Sequence, residues 1–460
     1  MEPAAGRLRG ALIDNRASGG AAVSGRLAWA ASAALMAAPV GLYFWFVDVF
    51  GVNVPFDDTW NGTLPLLRAL ADGRLQLAAL WAQHNENRML IPNLLTLLID
   101  SATRMNERAD MLVSGCLLVL ALVVILVLAR RTLRLGPLLL VPVAFLVMGL
   151  VQWENILWAF QLAWTLVLLL GVASLAAIEW GRDRWSGWAL AVTFGVLASY
   201  SSLQGLLVWP VGLYYGWAVG WPRGRAASWT AVGLLTTFEY LRDFGPVGTP
   251  SRPLLPFQEP TVAARYAALL VGGMFGFHHL LLGGATIAAV VGLALFVVSD
   301  RRWRRELRLP VALISFAVGF DALVLVGRLP LGLVSAGASR YTTYNLCLLV
   351  GLWLASLHLV RRRVAPQGSP PSSSAPMLWL GAALVAVIVG CQLGGDVPAG
   401  LSGGARARAQ RVAGAHLLLD LARAPDSALA ADLFFPSGQY VRVWTGVLRR
   451  HRWSLFSGTP

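Results

Sequence analysis

Runs of apolar residues recur along this chain at lengths that the core of a soluble protein rarely uses. A helix that crosses a bilayer needs about 20 apolar residues. Only 13% of the 460 residues are charged, against roughly 25% in soluble domains. The sequence therefore predicts an all-α polytopic membrane protein with about 11 transmembrane helices. The eleven runs are 27–49, 109–129, 136–151, 156–178, 186–201, 203–220, 227–241, 276–298, 309–326, 342–360 and 377–394.

Arginine-rich segments between these runs predict which side of the membrane each loop occupies. Short cytoplasmic loops carry an excess of arginine, which places the N-terminal segment 1–26 in the cytoplasm and the C-terminal tail 395–460 outside it. Between them, 27–394 forms the membrane domain. The run from Leu27 to Phe50 is too long for a signal peptide, so we expect an uncleaved span. The cytoplasmic segments are 129–136, 179–185, 221–225, 300–308 and 361–364, followed by a Pro- and Ser-rich linker, 365–376.

The formal net charge of +14 is spread over these short loops rather than along one face. This distribution is typical of membrane topology and of contact with anionic lipid headgroups, and it predicts no nucleic-acid partner. The sequence has no Walker loop, dinucleotide fingerprint, zinc-protease motif or serine-hydrolase motif. An activated substrate would therefore have to be carried by a lipid and used on the outer side.

The first outer loop, 51–108, is much longer than most connections between helices. Its segment TLPLLRALADGRLQLAALW has apolar residues at helical spacing on both sides of Gly73. This pattern predicts two short amphipathic helices in the membrane interface, because they are too short and too polar to span the bilayer.

Two adjacent carboxylates, Asp57 and Asp58, stand where this loop leaves the first span. Like-charge repulsion and partial desolvation both raise a carboxyl pKa toward the range that suits a general base. The same pair offers oxygen ligands to a divalent cation. The alternative interpretation is that Asp58 caps the following helix and that both charges are solvated.

His84, Glu86 and Arg88 fall in the polar cluster HNENR further along the loop. Helical spacing would place His84 and Arg88 on one face, four residues apart. A guanidinium there can bind a phosphate through two hydrogen bonds. The alternative is an exposed polar turn before the chain enters the membrane again.

The segment QWENILWAFQ, 152–161, interleaves polar side chains with Trp153, Trp158 and Phe160. Aromatic residues at a membrane interface usually form a belt. Amide and carboxylate groups among aromatic rings also resemble a sugar-binding surface, and the sequence leaves both interpretations open. The polar residues are Gln152, Glu154, Asn155 and Gln161.

The segment GRLPLGLVSAGASRY, 327–341, carries Arg328, Arg340 and Tyr341 at a predicted outer boundary. The arginine bias of cytoplasmic loops does not account for arginines there. We therefore expect a bound anion, and in a membrane the lipid phosphate is the natural one.

Four segments together resemble little-characterised bacterial members of the GT-C class of membrane glycosyltransferases. They are FDDTWNGTLPLLRALADGRL, WAQHNENRMLIPNLL, QWENILWAFQ and GASRYTTYNLCLL. The resemblance covers about residues 27–360 and not the tail. It implies a polyprenyl-phosphate sugar donor and transfer on the outer face of the bacterial cytoplasmic membrane.

The resemblance also implies roles for individual residues. The catalytic base would be an acidic residue of the first loop, and both Asp57 and Asp58 match it, so the resemblance leaves open which of the two is the base. In one assignment Asp57 takes the proton from the acceptor hydroxyl and Asp58 orients the acceptor or a cation. Asn87 stands where we would expect a second histidine. No cofactor is implied beyond the divalent cation left open above, and the acceptor is a glycan, a lipid or a protein. The donor phosphate would be bound by His84, Arg88, Arg328 and Arg340, and the substrate by Trp60, Glu86, Gln152, Glu154, Asn155, Gln161 and Tyr341.

Three other functions fit parts of the sequence. A transporter or flippase of a lipid-linked glycan would use the same arginines and aromatic residues without a general base, although the internal symmetry common in transporters is not evident. A membrane acyltransferase would use His278 or His279, which lack polar companions. A non-catalytic scaffold would leave the acidic pair unexplained.

Overall fold

The structure is a computed structural model that describes residues 4–245, 252–276, 279–364 and 375–458. His278 and most of the linker 365–376 lie outside these ranges. The helices are α1 (Ala4–Phe50), α2 (Thr63–Ala71), α3 (Leu77–Trp81), α4 (Leu90–Thr103), α5 (Glu107–Leu133), α6 (Val141–Val147), α7 (Trp153–Leu157), α8 (Leu162–Trp180), α9 (Trp185–Ser199), α10 (Val208–Val219), α11 (Arg223–Leu241), α12 (Leu255–Gln258), α13 (Pro260–Gly272), α14 (Leu280–Ser299), α15 (Arg301–Glu306), α16 (Arg308–Arg328), α17 (Thr342–Val364), α18 (Ala375–Leu419), α19 (Asp426–Asp432) and α20 (Gly438–His451).

The structure is 83% helical, which confirms the predicted all-α class. Within the described ranges the strands are β1 (Gln83–His84) and β2 (Asn87–Arg88), which form one antiparallel pair. Short 3₁₀ helices connect several α-helices. They are Asp57–Thr59, Pro137–Leu140, Leu150–Gln152, Ala159–Gln161, Leu203–Leu207, Gly273–Phe275, Leu329–Leu331, Leu333–Gly337, Ser339–Tyr341 and Ser454–Phe456.

Eight helical stretches of the described residues are long and apolar enough to cross a membrane. They support a multi-pass membrane protein, whereas the predicted number of about eleven spans is not confirmed. Three predicted spans account for the difference between eleven and eight. The runs 186–201 and 203–220 form α9 and α10, which are too short to span. The run 227–241 belongs to α11, which is not apolar enough to span. The eight stretches are Leu27–Phe50, Glu107–Leu133, Pro137–Leu157, Ala159–Trp180, Leu280–Ser299, Arg308–Leu331, Ser339–Arg362 and Leu378–Leu419.

The arginine-rich segments contact one another at one end of the helix bundle, the arginine end. Arg308 at the start of α16 pairs with Glu179 at the end of α8, with 2.7 Å between nitrogen and oxygen. Arg361 near the end of α17 donates a hydrogen bond of 3.3 Å to the backbone oxygen of Leu133 in α5. These contacts align the ends of four helices. The side of the membrane that this end faces stays a prediction.

At the opposite end, the acidic end, lie the first loop, the turn formed by QWEN at 152–155 (the QWEN turn) and segment 327–341. A break between α6 and α7 places the QWEN turn there. Asp396 of α18 accepts hydrogen bonds from the backbone N–H groups of Leu150, at 2.8 Å, and Val151, at 3.1 Å. Such N–H groups at a helix start have no partner inside the helix. Gly149 permits this approach, because a Cβ there would lie 2.6 Å from the Asp396 carboxylate.

The two short helices predicted in the first loop are confirmed as α2 and α3. Gly73 lies between them with a φ of +66°, a conformation that glycine adopts without a steric penalty. The position of the two helices relative to the bilayer surface stays a prediction.

The first loop shares a hydrophobic core with the C-terminal residues, separate from the main core of the bundle. Leu64 and Leu67 of α2 belong to one buried cluster with Leu418 of α18 and Leu448 of α20. Burying a leucine side chain away from water contributes about 1.5–3 kcal/mol. The apolar face of α2 is therefore covered by the C-terminal segment, which packs on the first loop as part of the acidic end.

Gly205 determines how closely the turn after α9 packs against that helix. A Cβ at this position would lie 1.8 Å from the backbone oxygen of Ala198. We expect Gly205→Ala to lower the free energy of unfolding by about 1–3 kcal/mol, the usual cost of overpacking. Gly224→Ala is the matched control, because nothing lies within 4 Å of a Cβ there and alanine favours a helix. Equal unfolding temperatures for the two variants in detergent would contradict this close packing.

Candidate functional site

Asp57 and Asp58 begin a 3₁₀ turn, Asp57–Thr59, at the acidic end. Asp57 has a φ of +49°, a conformation that costs energy in a residue other than glycine. Its backbone N–H donates to the oxygen of Leu433 at 3.0 Å, so the C-terminal segment holds this conformation. Helix α2 has Gly62 at its N-cap and no side-chain cap, so the capping interpretation of Asp58 is wrong.

Burial raises the pKa of Asp57 to about 7, and the neighbouring Asp58 carboxylate adds to this rise. The positive charge of Arg340 and the interaction with His84 act in the opposite direction, while Glu154 raises the pKa slightly further. Burial dominates because removing a carboxylate from water disfavours its charged form. A carboxyl group that titrates near 7 can accept a proton at neutral pH.

The HNENR cluster forms a β-hairpin, so the predicted helical arrangement of His84 and Arg88 is wrong. The strands pair His84 with Asn87 and Gln83 with Arg88. Asn85 turns the chain with a φ of +50°, which asparagine tolerates better than most residues. His84 and Arg88 therefore occupy different pairs of the hairpin rather than one helix face.

The hairpin brings His84 to the acidic pair. Its Nε2 lies 3.2 Å from Asp58 Oδ1, close enough for charge attraction, although the angles are not those of a hydrogen bond. The His84 ring also packs against Phe160, with 5.2 Å between ring centres. Asn87, found in place of an expected histidine, accepts a hydrogen bond of 2.7 Å from the Ser202 hydroxyl and so fixes the hairpin.

Arg88 is 5% exposed, and backbone oxygens occupy its guanidinium. Its Nε donates to the oxygen of Tyr240 at 2.6 Å and Nη1 to that of Trp81 at 3.2 Å. Nη2 donates to the oxygen of Arg242. The structure thus gives Arg88 an anchoring role between the first loop and α11. Its predicted part in phosphate binding finds no support in these contacts.

The QWEN turn and segment 327–341 meet beside Asp57 through Glu154 and Arg340. The backbone N–H of Arg340 donates to Glu154 Oε2 at 2.8 Å, and Arg340 Nη1 lies 3.7 Å from Glu154 Oε1. The backbone N–H of Glu154 donates to Ser339 Oγ at 3.2 Å, and the Asn155 amide donates to the oxygen of Arg340 at 2.7 Å. These bonds orient the Glu154–Arg340 pair within electrostatic range of Asp57.

Gln152, predicted to bind substrate, forms its hydrogen bonds at the break between α6 and α7. Its amide donates to the oxygens of Val147 and Gly149, at 2.9 Å each, and its Oε1 accepts from the Thr343 hydroxyl at 2.7 Å. Both ends of the side chain therefore support the break between α6 and α7, and its predicted contact with substrate stays untested.

Arg328 and Glu86, predicted for phosphate and substrate binding respectively, form an ion pair. Both side chains are partly exposed. Tyr266 is within electrostatic range of Arg328 and Arg340, which places the two arginines near the same part of the site. Tyr341 is buried, and the Arg340 guanidinium lies 5.3 Å from the centre of its ring.

A metal site is not evident from the side chains. Among the residues that the structure describes, no group of three or more His, Cys, Asp or Glu side chains could hold a metal ion. Asp57 and Asp58 together offer carboxylate oxygens that a cation could share with a substrate phosphate. A divalent cation therefore stays a prediction.

Several segments that meet at the acidic end carry buried polar atoms without a hydrogen-bond partner. Each such atom costs about 1–3 kcal/mol when it stays unpaired. Another molecule, substrate or water, can complete these hydrogen bonds. Both donors and acceptors occur, in the part of the chain described: Thr59 Oγ1, Trp60 Nε1, His84 Nε2, Asn155 Oδ1, Trp158 Nε1, Gln161 Oε1 and Arg411 Nη1.

The chain was compared with protein-family models, with curated proteins and with solved structures. None matches. The resemblance to the GT-C class therefore stays a prediction that rests on the short motifs quoted above.

Residues of the C-terminal segment belong to this site, and sequence reasoning missed them. The Cζ of Arg411 lies 4.4 Å from the centre of the Phe56 ring, next to Asp57. The ring of Phe434 is parallel to Phe56, with 5.9 Å between centres. The sequence of α18 does contain a pattern that could have pointed to Arg411. This arginine interrupts a stripe of small and apolar residues at helical spacing. The buried stripe is Gly403, Gly404, Ala407, Arg411, Gly414 and Leu418.

Proposed function

We propose that this protein is a glycosyltransferase that moves a sugar from a polyprenyl-phosphate donor to an acceptor hydroxyl, on the outer face of the bacterial cytoplasmic membrane. The observation that carries the proposal is Asp57, a carboxyl group with a pKa of about 7 beside Asp58 and the Glu154–Arg340 pair. The mixed set of unpaired donors and acceptors at the acidic end also supports a ligand rich in hydroxyl groups.

In the proposed reaction the Asp57 carboxylate takes the proton of the acceptor hydroxyl while that oxygen attacks the anomeric carbon of the donor. The bond from this carbon to the phosphate oxygen breaks, and its electron pair leaves with the phosphate. Arg340 and Arg328 would stabilise the added negative charge, an effect worth about 3–4 kcal/mol for one well-placed donor. Asp58, whose Oδ1 lies 3.2 Å from His84 Nε2, would orient the acceptor.

A cleft beside Arg328 supports a donor carried by a lipid. Its volume of about 370 Å³ is within the range of small-molecule sites. Apolar side chains form most of its lining, which suits a lipid chain, and two charged residues suit a polar headgroup. The lining residues are Arg252, Leu255, Glu259, Val262, Leu329, Pro330, Gly332 and Leu333.

A turnover assay with defined donors tests the proposal. The purified protein in nanodiscs is given short-chain polyprenyl-phosphate derivatives of glucose, galactose, mannose and arabinose, and sugar release or transfer is measured. We expect turnover of at least one donor and none of the corresponding sugar 1-phosphates, which lack the lipid. Saturable donor binding without turnover, together with movement of the donor across a vesicle membrane, would contradict the proposal and favour a transporter.

A further inference from the structure

Arg411 of α18 is a buried arginine with one guanidinium nitrogen left unpaired among the described residues. It is 3% exposed, and its Nη1 has no hydrogen-bond partner in the described part of the chain. Glu107 and Glu154 attract it electrostatically, but Glu154 pairs with Arg340. An unpaired buried charge is costly, so a ligand that accepts a hydrogen bond from Arg411 would stabilise the folded protein.

One aromatic ring packs on this guanidinium, and two further rings pack on the first. Phe56 contacts both Arg411 and Phe434. Trp158 meets the Phe56 ring edge-on, with 6.1 Å between centres, and its buried Nε1 is also unpaired within the described ranges. Phe434 is 60% exposed and Arg411 is 3% exposed, so the cluster meets solvent chiefly at the Phe434 ring. We call the three rings, with Arg411 and Glu154, the Arg411 cluster.

The charges of the Arg411 cluster discriminate between classes of ligand. An anion would be attracted by Arg411 but repelled by the Glu154 carboxylate. A cation would experience the opposite forces. A neutral molecule with several hydroxyl groups accepts a hydrogen bond from the guanidinium and donates another to a carboxylate. The apolar face of such a ring packs on an exposed aromatic side chain such as Phe434.

We propose that the Arg411 cluster binds the acceptor as a neutral carbohydrate, with Arg411 donating to one of its hydroxyl groups. This inference rests on the proposed function and extends it, because it selects a glycan over a lipid or a protein as acceptor. The Asp57 N–H donates to the oxygen of Leu433, the residue before Phe434, so a sugar packed on the exposed Phe434 ring lies near the Asp57 carboxylate. The oxygen of one acceptor hydroxyl forms the new bond to the donor sugar, and its proton passes to Asp57.

Binding of methyl glycosides in the absence of donor tests this proposal. The probes are the methyl glycosides of glucose, galactose, mannose and arabinose, with methyl glucuronoside as the anionic comparison. Saturation-transfer NMR measures their binding to the protein in nanodiscs. We expect at least one neutral glycoside to bind more tightly than the glucuronoside. Arg411→Gln should weaken that binding about tenfold or more, because a hydrogen bond to a charged donor is lost.

Arg406→Gln is the matched control, because Arg406 is exposed on the same helix and donates to Ser402. It should leave glycoside affinity unchanged. Arg411→Lys keeps the charge without the forked donors and should restore only part of the affinity. Three results would each overturn the proposal: no binding of any neutral glycoside, unchanged affinity in Arg411→Gln, or tighter binding of the glucuronoside.

Donor kinetics separate this inference from the proposed function. With an active donor, Arg411→Gln should raise the KM for the glycoside acceptor and leave the KM for the donor within about twofold. A raised donor KM with an unchanged acceptor KM would assign Arg411 to the phosphate and overturn the inference. If glycoside binding depends on Arg411 but no donor is turned over, the carbohydrate site stands and the proposed transfer fails.

Discussion

Asp57→Asn is expected to lower the kcat of sugar transfer by about 10²–10⁴-fold, the usual contribution of a general base. Asparagine preserves the size of the side chain but cannot accept the proton of the acceptor hydroxyl. Asp58→Asn should have a smaller effect, because the proposed mechanism gives the proton to Asp57 and leaves Asp58 to orient the acceptor. Initial rates at saturating donor measure both. Asp72→Asn, which changes an exposed carboxylate of the same loop, is the control and should keep the wild-type rate.

The pH dependence of the rate follows from the same group. Since the pKa of Asp57 is raised to about 7, the active carboxylate form is lost below neutral pH. The wild-type rate should fall about tenfold for each pH unit below 7 and level off above it. The residual rate of Asp57→Asn should lack this dependence. A flat wild-type profile across this range would remove Asp57 as the base.

The raised pKa of Asp57 also fixes the sign of its effect on stability. Folding moves the pKa upward from 3.8 to about 7, so the folded state disfavours the charged form. Its contribution to stability therefore declines as pH rises from about 4 to about 7. Asp57→Asn removes this cost and should unfold at or above the wild-type temperature at pH 8, with no gain at pH 4. A lower unfolding temperature at pH 8 would point to a structural role for Asp57.

Arg88→Ala is expected to lower the free energy of unfolding by at least about 1–3 kcal/mol. The substitution leaves one buried and two partly buried backbone oxygens without this donor, and a fully buried oxygen left unpaired costs about 1–3 kcal/mol. These are the oxygens of Trp81, Tyr240 and Arg242. Thermal unfolding in nanodiscs measures the loss, and limited proteolysis should show earlier cleavage within the first loop.

Two further variants distinguish anchoring by Arg88 from phosphate binding. Arg74→Ala changes an exposed arginine of the same loop and should leave the unfolding temperature unchanged. Arg88→Lys keeps a positive charge but cannot reach three oxygens from one planar group, so it should restore little stability. An Arg88→Lys protein that unfolds like wild type but binds the donor about tenfold more weakly would restore the phosphate role predicted from the sequence.

The pattern of apolar residues predicted the helical class and the order of most helices, because apolar residues recur at a regular spacing along the buried face of each helix. The helices on either side of Gly73 are one example. The same patterning overcounted the spans, since an apolar run does not reveal where a helix ends. Residues 203–220 are one apolar run in the sequence, yet the structure divides them into the 3₁₀ helix Leu203–Leu207 and α10.

The candidate site was predicted in pieces, and the structure brings several of these pieces together. Asp57, His84, Glu154 and Arg340 come from three separate segments, and the last three lie within electrostatic range of Asp57. The roles assigned to them stay predictions. The predicted helical conformation of the HNENR cluster was wrong, because a few polar residues are too short a segment to show a periodic pattern. A single left-handed residue, Asn85, changes the direction of the chain.

The residues of the candidate site that the sequence did not predict reach it through contacts between distant parts of the chain. Nothing in the local pattern around Phe56 indicates that Arg411 will cover its ring. Nor does the segment around Leu433 carry a motif that points to Asp57. Such pairs depend on how α18 crosses the bundle, which is a property of the complete fold rather than of a short segment.

The hydrogen bond from Asp57 to Leu433 has a consequence for biosynthesis. The two residues are about 380 positions apart, so at roughly 5–20 residues per second the ribosome adds the second some 20–75 s after the first. During this interval the membrane already holds the first span and its loop, but the acidic pair lacks the backbone partner that shapes it. A nascent chain that has not reached Leu433 is therefore expected to lack the conformation of the acidic pair, so any activity of this site begins only after the C-terminal segment has packed on the first loop.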